Sequence, residues 1–200
     1  MAAIDRQVEL TERDEEAVST VKVARSFNTS MQNTWDALTN RERIPQWFLP
    51  ITGDLKLGGS YALEGNASGS ITACTPPTHV SLTWEFAGDV SWVDLRITAT
   101  SADSVLLELD HTALLSPHWD QFGAGATGVG WEMSYLGLYL YLVHPNEDRL
   151  DEEAFAVSEQ GKRFITGSSQ GWANASIAAG IDATAAKAAA ERTTAFYLGN

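Results

Sequence analysis

The chain has a single cysteine, Cys74, so it can form no intrachain disulfide and no multi-cysteine metal site. A buried strand thiol is the plain reading of that residue. Basic residues are scarce as well: 13 Lys and Arg stand against 26 Asp and Glu, a net charge of −13. No stretch gathers enough cations to neutralise a run of phosphates, so neither nucleic acid nor an anionic membrane surface is an expected partner. The acidity reads as solubility. A long hydrophobic run is missing too. The longest apolar stretch, residues 129–143, contains Glu132 and falls short of the roughly 20 residues that cross a bilayer, so no membrane insertion is expected. No apolar leader is expected either, because the first 20 residues hold six acids and two arginines. The expected location is the cytoplasm. The sequons at Asn28, Asn66 and Asn174 lack a secretory context and carry no weight.

What is present is an ordinary globular composition, 44% hydrophobic and 20% charged, in 200 residues. That length suits one core with an appendage. Residues 1–19 are charged and aperiodic. From 21 to 28, VKVARSFN alternates as a strand, with Val21, Val23, Arg25 and Phe27 on one face. Ser30 then stands where an N-cap belongs for MQNTWDALTN, and RERIPQWF reads as a second turn of helix.

Between Gly53 and Leu114 the chain reads as successive short strands separated by Gly58-Gly59, Gly65-Asn66, Pro76-Pro77 and Gly88-Asp89. HVSLTWEF puts Val80, Leu82, Trp84 and Phe86 on one face. SVLLELDHTAL does the same for Val105, Leu107, Leu109, His111 and Ala113. Such a series predicts an antiparallel meander with one buried side. Trp131, Tyr135, Leu138 and Leu142 then recur at helical spacing, which predicts one long helix over about 120–144, ended by Pro145 and laid against the concave sheet. Beyond the charged connector NEDRLDEE, Ser158 can cap a helix to about Ala178, with Gly180 after it, and Asp182 a last Ala-rich helix ending near Tyr197.

The phrases TWDALTN (34–40), IPQWF (44–48), PPTHVSLTWEF (76–86), LLELDHTAL (106–114) and GVGWEMSYLGLYL (128–140), in this element order, resemble the START-like SRPBCC, or helix-grip, superfamily. The branch they are most similar to is named after the activator of the heat-shock chaperone's ATPase, the AHSA type. The resemblance implies an α+β fold in which a curved antiparallel sheet of about six or seven strands wraps a long helix. It also implies an elongated cavity used for lipids, polyketides or other apolar molecules. It covers about residues 20–145. The tail, 146–200, is an extension the minimal fold does not need. Phe164, Ser168, Trp172 and Ala175 form one stripe along it, which must pack over the cavity or against a second copy, so a homodimer through the C-terminal helices is one expectation.

Few residues carry chemistry. Gly123-Ala-Gly125-Ala-Thr-Gly128 matches G-x-G-x-x-G and opens a helix, but no clear strand precedes it and Glu147 lies beyond a proline-broken end. A flexible loop or close helix packing is the reading preferred over a nucleotide cradle, and no cofactor is expected. The histidines at 79, 111, 118 and 144 have no metal-ligand spacing, and Ser116, Thr112 and Ser134 sit in no nucleophile elbow. His111, in phase with Leu107 and Leu109, points inward. It is either a satisfied core histidine or a group that contacts ligand or moves a proton. Glu108 and Asp110 fall on the opposite face. Seven tryptophans and seven phenylalanines offer rigid amphipathic surface. Trp84, His111, Trp131 and Tyr135 are expected to border one cavity, with Trp47 or Phe48 near its mouth, while Trp35 is assigned to packing. The expected function is binding of a small apolar molecule. A cyclase or hydratase using His111, or a co-chaperone-like interaction module, are the alternatives.

Overall fold

Alternating side chains build the sheet, and short polar caps set the helix ends. A computed structural model describes residues 4–199. Eight strands, β1 (Asp5–Arg13), β2 (Glu16–Phe27), β3 (Ile51–Gly53), β4 (Ser60–Leu63), β5 (Ser68–Thr75), β6 (His79–Phe86), β7 (Asp89–Ser101) and β8 (Ser104–Leu114), form one open sheet in the order β1-β2-β8-β7-β6-β5-β4-β3. The helices are α1 (Met31–Thr39), α2 (Pro117–Phe122), α3 (Gly125–Val143), α4 (Glu152–Val157), α5 (Glu159–Ala178) and α6 (Ala183–Leu198), with a 3-10 turn at Ile44–Gln46. This is the α+β helix-grip arrangement read from the sequence, with eight strands in place of six or seven.

The added strand is β1, in the segment read as aperiodic. β1 lies at the sheet edge, so only one side of it finds a partner strand, and its side chains are mostly exposed except Val8. Charged residues on an edge strand discourage pairing with another chain, and they also erase the hydrophobic alternation that betrays a strand. Glu9 is held to Lys22 of β2 at 3.1 Å.

The caps hold as expected. Ser30 accepts from the Asn33 amide, Ser158 from Gly161 and Asp182 from Ala185, and Gly180 takes a φ of 92° after α5. The expected long helix instead falls into two pieces. Ser116 caps the short α2, and Gly123, at φ 55°, interrupts the chain before α3 begins.

The chain divides into two compact units. Among the described residues, the first holds Ile4–Asp5, Ala24–Ala113 and Gly137–Arg149; the second holds Arg6–Val23, Leu114–Leu136 and Leu150–Gly199. In the first, Tyr61, Leu63, Ile71 and Val80 form a core against which Trp35, Phe48, Cys74, Leu82 and Trp84 pack. Cys74 is therefore a half-buried strand thiol. Arg25 is 1% exposed, its guanidinium lying 4.6 Å from the Tyr139 ring centroid and 5.3 Å from that of Phe27.

In the second unit, Glu132 of α3 is buried at 1% exposure and takes a fork from Arg6 of β1, Nε to Oε1 at 2.6 Å and Nη2 to Oε2 at 2.8 Å. The guanidinium passes over Gly171 of α5, where a Cβ would stand 2.9 Å from its carbon. Trp172 is 1% exposed and lies against Gly128 of α3, so the tail does bury this residue on the 20–145 segment. Phe164 does not follow. It is half-buried beside Phe155 at 5.8 Å, and Ile165 takes the core position, because the buried row of α5 is Gly161, Ile165, Ser168, Ser169, Trp172, Ala173 and Ser176.

Two substitutions should expose these dependencies in urea denaturation. Arg6→Ala leaves a buried carboxylate without its cation and is expected to cost roughly 3 kcal/mol, with Gly171→Ala destabilising in the same direction because its methyl displaces Arg6. Trp172→Ala empties a filled core position and is expected to cost roughly 3 to 5 kcal/mol. Unchanged midpoints in these variants would sink the assignment of Arg6 and Trp172 as anchors.

Candidate functional site

Register brings the site together in the first unit. In the pairing of β6, β7 and β8, Trp84 stands opposite Ser91, Leu82 opposite Val93, and Val93 in turn opposite His111. Residues two apart share a face, so Trp84, Ser91 and His111 converge on one side of the sheet. His111 Nε2 lies 2.8 Å from Ser91 Oγ, and Ser91 Oγ donates to the Trp84 carbonyl at 3.1 Å. A hydroxyl has one proton. Ser91 Oγ therefore links the His111 ring to the Trp84 backbone, with its one proton shared out according to the imidazole tautomer. The Trp84 and His111 rings are tilted at 58° with centroids 6.0 Å apart.

His111 keeps intermediate exposure, yet burial alone pushes its pKa down to about 4. Phe48 and Trp84, both half-buried, reach the same Tyr61–Val80 core from different elements. Phe86, expected on this face, lies at the hairpin tip and is 54% exposed, beyond the reach of the core.

Two of the other expected site residues, Trp47 and Tyr135, have fixed polar ends. Trp47 is buried, donates from Nε1 to the Ala37 carbonyl at 2.9 Å and stacks on Phe48 at 5.4 Å. Tyr135 is buried and its hydroxyl donates to the Val23 carbonyl at 3.3 Å. Trp131 is half-buried on α3. Tyr135 and Trp131 belong to the second unit. Ser91 was not singled out in the sequence, although it stands two residues from Val93 and four from Leu95 in the alternation of β7.

The opposite face of the same strands carries a polar network. Asp94 Oδ2 contacts His79 Nε2 at 2.7 Å and Ser81 Oγ at 2.5 Å, while Arg96 bridges Asp94 and Asp110 at 2.5 and 3.5 Å. Burial acts to raise the Asp94 pKa, but hydrogen bonds from Ser81 and His79 and the charge of Arg96 outweigh it and lower it. Ser, His and Asp are all here, but His79 uses one nitrogen, Nε2, for both partners. A hydrolytic triad needs the two ring nitrogens on opposite tasks, so the network is structural.

The G-x-G-x-x-G string lies in the second unit, beginning in the link after α2 and running from Gly125 to Gly128 through the first turn of α3. A Cβ on Gly125 would come within 2.5 Å of Thr193 Oγ1, and one on Gly128 within 2.1 Å of the Trp172 ring. Two of its glycines thus admit neighbouring helices at contact distance, and the preceding element is a helix rather than a strand. Among the described residues no group of three or more His, Cys, Asp or Glu is placed to hold a metal ion, and no helix is long and apolar enough to cross a membrane.

The family model described as activator of Hsp90 ATPase homolog 1-like protein matches residues 28–142. Among solved structures, the solution structure of CalU16 from Micromonospora echinospora is similar at 28% identity and a TM-score of 0.73, covering 89% of this chain and 97% of that one. DynU16, a protein in the dynemicin biosynthetic locus, matches at 21% identity and TM-score 0.59, over 66% of this chain and 50% of that one. The Aha1 dimer from Colwellia psychrerythraea matches at 16% identity and TM-score 0.53, over 64% and 98%. The last two likenesses concern the fold alone. No curated protein matches. The CalU16 coverage is more than residues 1–145 could supply, so part of the tail is shared with that protein.

The lowered His111 pKa fixes a pH dependence. The unfolded chain takes up a proton near pH 6.5 and the folded chain only near 4, so stability is full above about 6.5 and declines as pH falls toward 4. Across that window the loss attributable to this group should approach roughly 3 kcal/mol. His111→Gln should flatten this part of the stability profile between pH 7 and 4.5. An unaltered profile would mean that His111 is not desolvated.

Proposed function

Because the chain belongs to the activator of Hsp90 ATPase homolog 1-like family, we propose that it binds a small apolar molecule in the recess where Trp84, Ser91 and His111 converge. The observation that carries this reading is the combination at His111: accessible, strongly desolvated and neutral. Aromatic surface from Trp84 and Phe48 supplies the apolar contact, and the imidazole offers one polar point that orients a ligand without demanding charge. Trp47 serves as the support beneath Phe48, its N–H being committed to Ala37.

A cyclase or hydratase role for His111 is the second reading, and the same pKa weighs against it. General bases work best with a pKa near the operating pH, and a group pushed down to about 4 is a weak base at neutrality. Binding therefore ranks first.

Titration with the neutral dye N-phenyl-1-naphthylamine should give a saturable fluorescence rise. Trp84→Ala and His111→Leu should each weaken binding by tenfold or more, equivalent to about 1.4 kcal/mol. Native mass spectrometry of the freshly purified protein should show a defined small-molecule adduct. A protein that binds no dye saturably and carries no adduct would overturn the reading.

A further inference from the structure

β1 leaves one edge of the sheet open. It ends the strand order, and only β2 pairs with it. Asp14 and Glu15, with φ of 51° and 69°, form the two-residue turn between the strands, so Arg13 and Glu16 face each other as a hydrogen-bonded pair. Hydrogen-bonding direction alternates along an antiparallel strand. The amides and carbonyls of Asp5, Gln7, Glu9, Thr11 and Arg13 are therefore turned to β2, and those of Arg6, Val8, Leu10 and Glu12 to the open edge. Among the described residues, the backbone of these last four makes no hydrogen bond outside the sheet.

Charged side chains on such an edge repel an arbitrary strand, but one partner matches them. DRQVELTER is self-complementary when a second copy runs antiparallel to it and centred on Glu9. In that register Asp5 stands opposite Arg13 of the second copy, Arg6 opposite Glu12, Gln7 opposite Thr11 and Val8 opposite Leu10, and a two-fold axis repeats each pair. Directly opposed residues share a face, so opposite charges meet and Leu10, 45% exposed, gains an apolar neighbour. The one like-charged meeting, Glu9 with its own copy, is offset by Lys22, which lies 3.1 Å from Glu9 in each chain. Parity agrees as well. The register joins Arg6 to Glu12 and Val8 to Leu10, the residues whose backbone groups point outward. Shifting it by two residues, the next step that parity allows, removes every opposite-charge pair within the strand.

We infer that β1 pairs with β1 of a second copy, antiparallel about Glu9, in a weak dimer. About eight hydrogen bonds fit a ladder of this length. Nine residues a side make a small interface, so the dimer dissociates on dilution. This contact differs from a dimer through the C-terminal helices, and it owes nothing to the ligand reading.

Sedimentation velocity of the full chain between about 1 and 500 μM should show a monomer–dimer equilibrium. Hydrogen exchange should protect the amides of Val8, Leu10 and Glu12 at high concentration only. Leu10→Pro removes an outward donor while sparing the pairing with β2, and should weaken the dimer by about tenfold or more. Asp5→Lys and Arg13→Glu should each weaken it by opposing like charges. Mixed in equal amounts, these two variants should dimerise again, because each supplies the charge that the other has lost, and this rescue decides the matter if Leu10→Pro does not fold. A chain that stays monomeric across the range, a dimer that withstands Leu10→Pro, no rescue on mixing, or concentration-dependent protection confined to α5 and α6 would each overturn the proposal.

Discussion

A carboxylate in the middle of the long helix is the constraint from which much of the second unit follows. Glu132 is almost wholly removed from water, and an ionised carboxylate cannot stay there alone without a penalty of several kcal/mol. Arg6 supplies both hydrogen bonds, which ties the edge strand β1 to α3. Its guanidinium needs a path, and Gly171 of α5 provides one by having no side chain. A charged residue on β1, a charged residue on α3 and a glycine on α5 are therefore one device. Beside its pairing with β2 and the Glu9–Lys22 contact, this fork and Val8 are what anchor an otherwise exposed, polar edge strand.

The same helix fits its neighbours through what it lacks. Gly125 meets Thr193 of α6, Gly128 meets Trp172 of α5, and Gly137 approaches the Trp47 carbonyl. Glycine in a helix interior costs about 1 kcal/mol in propensity, and three such residues would be hard to account for on an isolated helix. Contact distances explain them. The close approach at Gly128 also seats Trp172.

Much of the architecture was legible, because it depends on local rules. Ser30, Ser158, Asp182 and Gly180 act where short-range hydrogen bonding and backbone freedom require them, and β6 and β8 show the alternation that a half-buried strand must. What escaped depends on partners distant in sequence. β1 hid because an edge strand has little reason to be apolar. Gly123 looked like part of one helix, and only its left-handed φ separates α2 from α3. On α5 the choice between Phe164 and Ile165 for the core turned on rotation by one residue, which periodicity resolves poorly when both are apolar. Ser91 escaped since its importance arises from register, the pairing that places it opposite Trp84 and diagonal to His111.

Three ionisable side chains that face the interior are accommodated by three different means. Glu132 is paired with an arginine. Arg25 keeps its charge beside the rings of Tyr139 and Phe27, a placement already hinted at by its phase with Val21 and Val23. His111 gives up its charge, held neutral by desolvation, and hydrogen-bonds to a serine. Glu132 and Arg25 are sealed from solvent, while His111 retains accessible surface. A neutral imidazole can form a hydrogen bond without first shedding a tightly held hydration shell, as a charged group would have to. That difference in desolvation is why the proposal above rests on His111 and on neither of the two sealed charges.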